Sequence, residues 1–157
     1  MKETDLTHWQ GVPRPSRSVI PGRYVRLEAL QPSHIDDLYA AVSGPEQEQL
    51  FQYMFQAAPA SRREFTSWAH QCISAPEALY YAVVDQDSGR AEGWQALMRI
   101  DTKNGSIELG NVMRGPLLAK TRGATEAFFL SAATVFDLGY RRLEWKCDAR
   151  NLPSQRG

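Results

Sequence analysis

The sequence predicts an α/β fold (α+β in some schemes) in which a mixed, mostly antiparallel, twisted sheet carries helices on both faces. Two observations support this prediction. The patterns run in the order strand, helix, helix, three strands, helix, strand, and consecutive strands joined by short turns pair antiparallel. The last helix returns the chain to a strand that we expect to be parallel, and helices that flank a mixed sheet cover both of its faces.

The totals of the chain indicate one domain and exclude some partners. It has 157 residues, 43% of them hydrophobic, and its 18 basic residues balance 18 acidic ones. A neutral chain without a basic stripe gives no support for nucleic-acid binding. No run approaches the roughly 18 apolar residues of a membrane helix, so we expect no membrane partner and a cytoplasmic protein. Cys72 and Cys147 favour a reduced chain with two buried thiols over a disulfide.

The first third of the chain predicts an arm, a strand and a helix. Residues 1–21 contain three prolines among Arg and Ser residues, which predicts an extended or disordered N-terminal arm. Gly22–Leu30 alternates polar and apolar residues, as a half-buried strand does. Ser33 is the expected N-cap of the first helix, and Gly44-Pro45 ends it.

The middle of the chain predicts a second helix and three strands. Ser61 and Glu64 have the spacing of a capping box, which places a helix start there. The strand patterns that follow, all joined by polar turns, cover Leu79–Val84, Gly93–Ile100 and Ile107–Met113. The last turn contains Asn104-Gly105, a strong short hairpin signal. A helix over Thr125–Phe136 and a strand over Leu143–Cys147 complete the predicted order.

The segment that opens the last helix predicts an anion site. Backbone N–H groups in the first turn of a helix have no intrahelical partner, so they can bind phosphate. Lys120 and Arg122 flank this start and can add charge-assisted contacts. An ordinary helix cap with solvated basic neighbours explains the same residues, and the local pattern leaves both interpretations open.

Four segments, in this order, resemble the GNAT N-acetyltransferase superfamily, and within it the RimJ/RimL-like branch. They are Gly22–Glu28 with the Pro-Ser-His-Ile helix start, Gly105–Gly110, Ala124–Ala127, and Leu138–Arg142 running on to Asn151-Leu152-Pro153-Ser154. The resemblance implies a GNAT-like sheet and acetyl-CoA as co-substrate, with no metal. Acetyl-CoA would lie in a gap between the strand ending near Met113 and the strand Leu143–Cys147.

The resemblance also implies which residues contact acetyl-CoA. They are Val112, Met113, Arg114, Ala119, Lys120, Thr121, Arg122, Gly123, Ala124, Thr125 and Asn151. The loop departs from the family pattern Gln/Arg-x-x-Gly-x-Gly/Ala, since Ala119 replaces Gln or Arg and Arg122 replaces Gly. The alternative frame, Lys120–Thr125, keeps Gly123 and ends on Thr125. Backbone amides do most of the work at such a loop in either frame.

Two residues are candidates for proton transfer. Glu108 can deprotonate the amine directly or through water, and its alternative is a solvent-facing strand carboxylate. By resemblance, Asn151 contacts the pantetheine arm and Ser154 protonates the departing sulfur. The alternative for both is an Asx-type turn that starts a helix, with Ser154 competing as N-cap.

The histidines, Cys147 and a group of aromatic residues give three further expectations. His8, His34 and His70 share no spacing, so we expect no metal site. Cys147 is expected to pack rather than to act as a nucleophile. The aromatic residues Phe51, Tyr53, Phe55 and Trp68 either line an acceptor pocket or pack in the core.

The resemblance implies that residues 22–157 form an incomplete GNAT domain. In the family, the Asn-x-x-Ser turn starts a helix and two further strands follow, which are missing here. We therefore expect an exposed sheet edge at Leu143–Cys147 and a possible homodimer through it. The expected activity is acetyl transfer to a primary amine of a protein N-terminus, an amino-sugar or a small metabolite. The alternative is a catalytically silent CoA-binding or interaction domain, or an inactive truncated fragment.

Overall fold

The computed structural model describes residues 6–156, which fold around a six-stranded sheet in the spatial order β1 to β6. Neighbouring strands are antiparallel up to β5, and β6 pairs parallel with β5. This confirms the predicted α/β class and the parallel last strand. The strands are β1 Ile20–Pro21, β2 Val25–Ala29, β3 Leu79–Asp85, β4 Ala91–Asp101, β5 Ser106–Arg114 and β6 Arg142–Glu144.

Five α-helices accompany the sheet within the described residues. They are α1 Ile35–Val42, α2 Gln47–Phe51, α3 Arg62–Ser74, α4 Arg122–Asp137 and α5 Leu152–Gln155, and a 3-10 turn over Pro32–His34 leads into α1. Ser61 caps α3 as predicted, because its hydroxyl accepts a hydrogen bond from the Glu64 amide. The start of the first helix differs from the prediction: Ser33 lies inside the 3-10 turn, whose cap is Gln31, and His34 is the N-cap of α1.

The sheet separates two apolar clusters, so helices cover both faces as predicted. On one face, α4 packs on Val25, Leu27 and Ile107. On the other face, α1, α2 and α3 pack on a cluster that includes Trp94 and Met113. Alternate residues of β5 therefore point to opposite helical layers.

The N-terminal segment before β1 lies against the sheet. Residues 6–19 form no helix or strand, yet Trp9 donates its indole N–H to the Lys103 carbonyl at 2.7 Å. Arg141 lies over the Trp9 ring at 4.8 Å, and the Tyr81 hydroxyl donates to the Ser16 carbonyl at 2.7 Å. The first five residues of the predicted arm lie outside the described residues.

Two predicted boundaries were wrong. The helix α4 begins at Arg122 rather than Thr125, because the Thr121 hydroxyl accepts a hydrogen bond from the Ala124 amide and caps the helix earlier. The strand predicted over Leu143–Cys147 ends at Glu144, because β5 pairs with β6 only as far as Glu108.

Two side-chain environments also differ from expectation. Cys72 is buried, but Cys147 follows the end of β6 and is exposed, so it does not pack in the sheet. Phe55 is 92% exposed and belongs to no core, whereas Phe51 and Trp68 pack in the cluster beneath α3. Among the described residues, no helix is long and apolar enough to cross a membrane.

Candidate active site

The strand β5 contains an irregularity that opens the sheet. Trp94 pairs with Met113 and Ala96 with Gly110, so β5 has one more residue than β4 in this interval. Asn111 lies within it with a φ of 47°, in the left-handed region that Asn tolerates better than most residues. Such bulges bend the strand that carries them. The bend occurs just beyond Glu108, where pairing with β6 stops. Beyond this point the described sheet has no pairing between β5 and the segment after β6.

The predicted diphosphate loop lies directly after β5. Gly115 turns the chain away by donating to the Glu92 carbonyl at 2.8 Å, and Thr121 then caps α4. Lys120 has a φ of 62°, and its side chain and that of Arg122 are exposed. In the described part of the chain, the amides of Arg122 and Gly123 have no hydrogen-bond acceptor. The loop thus presents free N–H groups and positive charge together.

Arg114 ends β5 as a partly buried cation between the sheet and α4. Its Nη1 donates to the carbonyls of Trp94 and Met113, each at 3.0 Å, and its Nη2 donates to the Gln95 amide oxygen. Within residues 6–156, no carboxylate forms an ion pair with it. Burial lowers the pKa of the guanidinium to about 10, so the group is still charged at neutral pH.

Gln95 fixes this arginine to the helix. Its amide nitrogen donates to the Ala127 carbonyl at 2.9 Å and to the Ser131 hydroxyl at 2.6 Å, and both Gln95 and Ser131 are fully buried. A buried polar network with its groups satisfied holds its members in one geometry. Sequence reasoning missed Gln95, although a polar residue inside an apolar strand pattern is a signal that could have indicated it.

Glu108 lies on β5 before the irregularity and is 3% exposed, so it is not the solvent-facing carboxylate of the alternative interpretation. Arg99 donates to its Oε2 at 2.5 Å, and Lys146 forms a second ion pair with the same oxygen. Lys146 also contacts Glu144 at 3.0 Å, and hydrogen bonds to the two carboxylates raise the lysine pKa. Glu108 is thereby connected to the segment that follows β6.

Asn151 and Ser154 form the turn that starts α5. The Asn151 side-chain oxygen accepts a hydrogen bond from the Ser154 amide at 3.2 Å, so Asn151 is the N-cap and Ser154 is not. The Ser154 hydroxyl oxygen accepts a bond from the Trp145 indole at 3.0 Å, which leaves its O–H proton free to donate elsewhere.

A cavity of about 660 Å³ adjoins the loop. Its walls come from the Arg23-Tyr24 segment, the end of α1, the β3–β4 turn and the first turn of α4, with Arg122 and Gly123 among its lining residues. The guanidinium groups of Arg23 and Arg122 both lie near the Tyr24 ring, at 5.3 and 6.0 Å. The lining also contains Arg90 and three carboxylates, those of Asp85, Asp87 and Glu92, so the positive charge is concentrated on the side of Arg23 and Arg122.

The described residues contain no group of three or more His, Cys, Asp or Glu side chains that could hold a metal ion. His34 forms contacts with two polar neighbours. Its Nε2 lies 2.9 Å from the Glu28 carboxylate, and the Gln31 amide donates to its Nδ1 at 3.4 Å.

Comparison with known proteins identifies the family of this chain. A family model described as "Acetyltransferase (GNAT) domain" matches residues 25–156, and the chain belongs to this family. A GCN5-related N-acetyltransferase from Brucella melitensis is 47% identical, with a TM-score of 0.94, over 96% of this chain and 69% of that one. A probable acetyltransferase (GNAT family) from Chromobacterium violaceum is 30% identical, with a TM-score of 0.89, over 99% and 78%.

More distant structures share the fold alone. One is an acetyl transferase from Salmonella typhimurium that modifies the N-terminal serine of ribosomal protein L7/L12. It is 20% identical with a TM-score of 0.74, over 88% of this chain and 80% of that one. No curated protein matches the sequence. The family is thus that of acetyltransferases, and structural relatives include proteins of the RimL type.

Proposed function

We propose that this chain is an acetyl-CoA-dependent N-acetyltransferase that acts on a primary amine. The observation that carries the proposal is the charge of Arg114. It is partly buried, has no carboxylate partner among the described residues, and ends the strand that leads into the free amides of α4. A cation at the end of the strand that leads into unpaired N–H groups suits a polyanionic ligand, and the diphosphate of CoA is one.

The remaining co-substrate contacts follow from the same geometry. The amides of Arg122 and Gly123 would face the diphosphate, with the side chain of Lys120 nearby; we assign the whole loop Ala119–Thr125 to this end of the ligand. The edge of Val112 and Met113 away from β4 has no strand partner in the described sheet, so it can pair with the pantetheine amides. Asn151 would contact the same arm from beyond β6.

Bound acetyl-CoA supplies the acetyl group as a thioester, and this chain supplies proton transfer. Glu108 accepts a proton from the amine, directly or through water, and the amine nitrogen forms the new bond to the acetyl carbon. Arg99 and Lys146 hold the Glu108 carboxylate in place through two ion pairs to the same oxygen. When the C–S bond breaks, the Ser154 O–H, whose oxygen accepts from Trp145, would give its proton to the sulfur. Ser154 would then regain a proton from solvent, and Glu108 would release to solvent the proton that it took from the amine.

The acceptor classes that we propose are a protein N-terminus, an amino-sugar or a small metabolite amine. Domain limits of 22–157, with the preceding residues as an arm, remain our proposal for the catalytic unit. We also propose that the protein acts in the cytoplasm, where an exposed free thiol such as Cys147 stays reduced.

The first test is calorimetric titration with acetyl-CoA, with ATP as a phosphate-bearing control. We expect selective binding of acetyl-CoA. Thiol release is then measured with a panel of primary amines. Binding without turnover for any amine would favour the alternative, a catalytically silent CoA-binding domain, and a folded protein that binds no acetyl-CoA would refute the proposal.

The role of Glu108 has a matched control on the next strand. Glu108 and Glu144 are register partners and both contact Lys146. We expect Glu108→Gln to lower kcat by about 100-fold or more, the contribution of a general base, with acetyl-CoA affinity unchanged. Glu144→Gln should keep kcat within about threefold. Equal effects of the two substitutions would remove Glu108 from the mechanism.

A further inference from the structure

A small aromatic pocket lies on the same face of the sheet as Glu108. The rings of Phe51, Phe65 and Trp68 line a cavity of about 110 Å³, and Ala57 and Pro59 of the α2–α3 segment form its rim. Trp68 and Phe65 are fixed from below by Trp94, with ring centroids 4.8 and 5.9 Å away. The walls are thus held by the core and are already formed.

Alternation along β5 places the Glu108 carboxylate toward this layer. Ile107 and Leu109 belong to the cluster beneath α4, so Glu108 between them points to the opposite face. That face carries the cluster of Phe51, Phe65 and Trp68. The proposed base and the aromatic pocket therefore share one side of the sheet.

A chain of hydrogen bonds connects the pocket to the irregular part of β5. Gln56, which lines the pocket, donates its side-chain N–H to the Asn111 oxygen at 3.3 Å. The Asn111 amide nitrogen donates to the Tyr80 hydroxyl at 2.9 Å. Tyr80 in turn lies edge-on to the Trp68 ring at 6.4 Å. The pocket is thus attached to the strand that carries both Glu108 and the proposed acetyl-CoA edge.

We propose that this pocket binds a compact, branched aliphatic group next to the amine of the acceptor; this rests on the proposed function and names the acceptor class of that site. An apolar cavity of about 150 Å³ holds one benzene molecule, so 110 Å³ fits a valine-like or leucine-like group. Of the lining residues, Glu64 alone is charged, and it already accepts a hydrogen bond from the Ala60 amide at 3.0 Å. The other lining residues are three aromatic rings, Ala57, Pro59 and the uncharged Gln56, and such walls favour an apolar group.

The test compares amino-acid amides that differ only in the side group: glycinamide, alaninamide, valinamide, leucinamide, phenylalaninamide and lysinamide. Each methylene that enters the pocket should raise kcat/KM about fourfold. We expect values to rise from glycinamide to valinamide or leucinamide and to fall for phenylalaninamide. A flat series, or a preference for lysinamide, would overturn the inference.

Two variants locate the effect. Ala57→Leu fills the pocket from an exposed position of its lining, so it should remove the advantage of leucinamide over glycinamide. Phe55→Ala changes an exposed ring in the same segment that does not line the pocket, and it should leave the series intact. An unchanged series in Ala57→Leu would contradict the assignment of the pocket.

Ligand-observed NMR with leucinamide and glycinamide separates this inference from the proposed function. Leucinamide binding that Ala57→Leu abolishes supports the pocket even if no amine is acetylated, whereas the absence of turnover alone counts against the enzyme proposal. Turnover of amines with equal binding of leucinamide and glycinamide would refute the pocket and leave the enzyme proposal standing.

Discussion

Glu126 is the residue whose removal tests most directly how the helix start is held in place. Its carboxylate accepts hydrogen bonds from three consecutive backbone amides, those of Arg23, Tyr24 and Val25, at 2.8, 2.6 and 2.9 Å. These bonds tie the beginning of β2 to the first turn of α4. Because that turn presents the free amides of the diphosphate loop, Glu126 supports both the fold and the site.

The structure allows the cost of Glu126→Ala to be estimated. A hydrogen bond to a charged group contributes about 1.5–3 kcal/mol, but Glu126 is only partly buried and solvent screens the interaction, so about 1 kcal/mol per bond is the better value. The free energy of unfolding should therefore fall by about 3 kcal/mol, which lowers Tm by about 6–12 °C in a domain of this size. Glu126→Gln keeps an acceptor oxygen and should lose about half as much.

The same contacts make the contribution of Glu126 depend on pH. Burial works to raise the pKa of this carboxyl group, but the three amide hydrogen bonds outweigh it and lower the pKa below its ordinary value of 4.5. The stabilisation is thus present above the unfolded-state pKa and is lost as pH falls through the folded-state pKa. The difference in the free energy of unfolding between the native chain and Glu126→Gln should therefore become smaller in acid.

Urea unfolding at about pH 7 and about pH 3.5 measures both effects. Glu48→Gln is the control, because Glu48 is an exposed helical glutamate whose side chain forms no hydrogen bond or ion pair with the described residues. Its substitution should change the free energy of unfolding by less than about 0.5 kcal/mol. A loss below about 1 kcal/mol for Glu126→Ala, or a loss that does not shrink in acid, would refute the reasoning.

Three further predictions concern the loop, the arm and the sheet edge. Arg114→Met should weaken acetyl-CoA binding by about 10- to 100-fold in calorimetry, and Arg114→Lys should weaken it less because the charge is kept. Unchanged affinity in a folded Arg114→Met variant would contradict the assignment of Arg114 to the anion site. Trp9→Ala removes the contacts to Lys103 and Arg141 and should lower the free energy of unfolding by about 1–3 kcal/mol in urea titrations. The free edge of β6 and the partly exposed Trp145 predict self-association in sedimentation experiments; a monomer at high concentration would exclude it.

Local signals in the sequence were sufficient where a few neighbouring residues determine the structure. The Ser61 cap and the Asn104-Gly105 turn act within four residues. Gly105 adopts a φ of 63°, and the Asp101 carboxylate accepts a bond from the Asn104 amide at 2.9 Å. Caps and turns of this kind can be predicted from a single sequence because the residues that form them are close along the chain.

Features that depend on distant residues were not predictable in the same way. The shortness of β6 depends on where β5 bends, and the exposure of Cys147 follows from that shortness. The N-terminal arm looks extended because of its prolines, yet Trp9 contacts a turn that lies 94 residues further along. Arg114 has no carboxylate partner among the described residues, and this follows from how distant parts of the chain fold together. Its neighbours in the sequence therefore do not distinguish it from other arginines.

Asn111 lies in the bulge of β5 and also forms a hydrogen bond to the proposed acceptor pocket. For this reason a bulged β5 suits the proposed function better than a regular strand. A regular β5 would keep pairing with β6 and close the gap in which acetyl-CoA is proposed to lie. The extra residue bends the strand, and the left-handed backbone at Asn111 directs its side chain to Gln56 on one side and Tyr80 on the other. Asn111 thereby contributes both to the bend that ends pairing with β6 and to the contact between β5 and the proposed acceptor pocket.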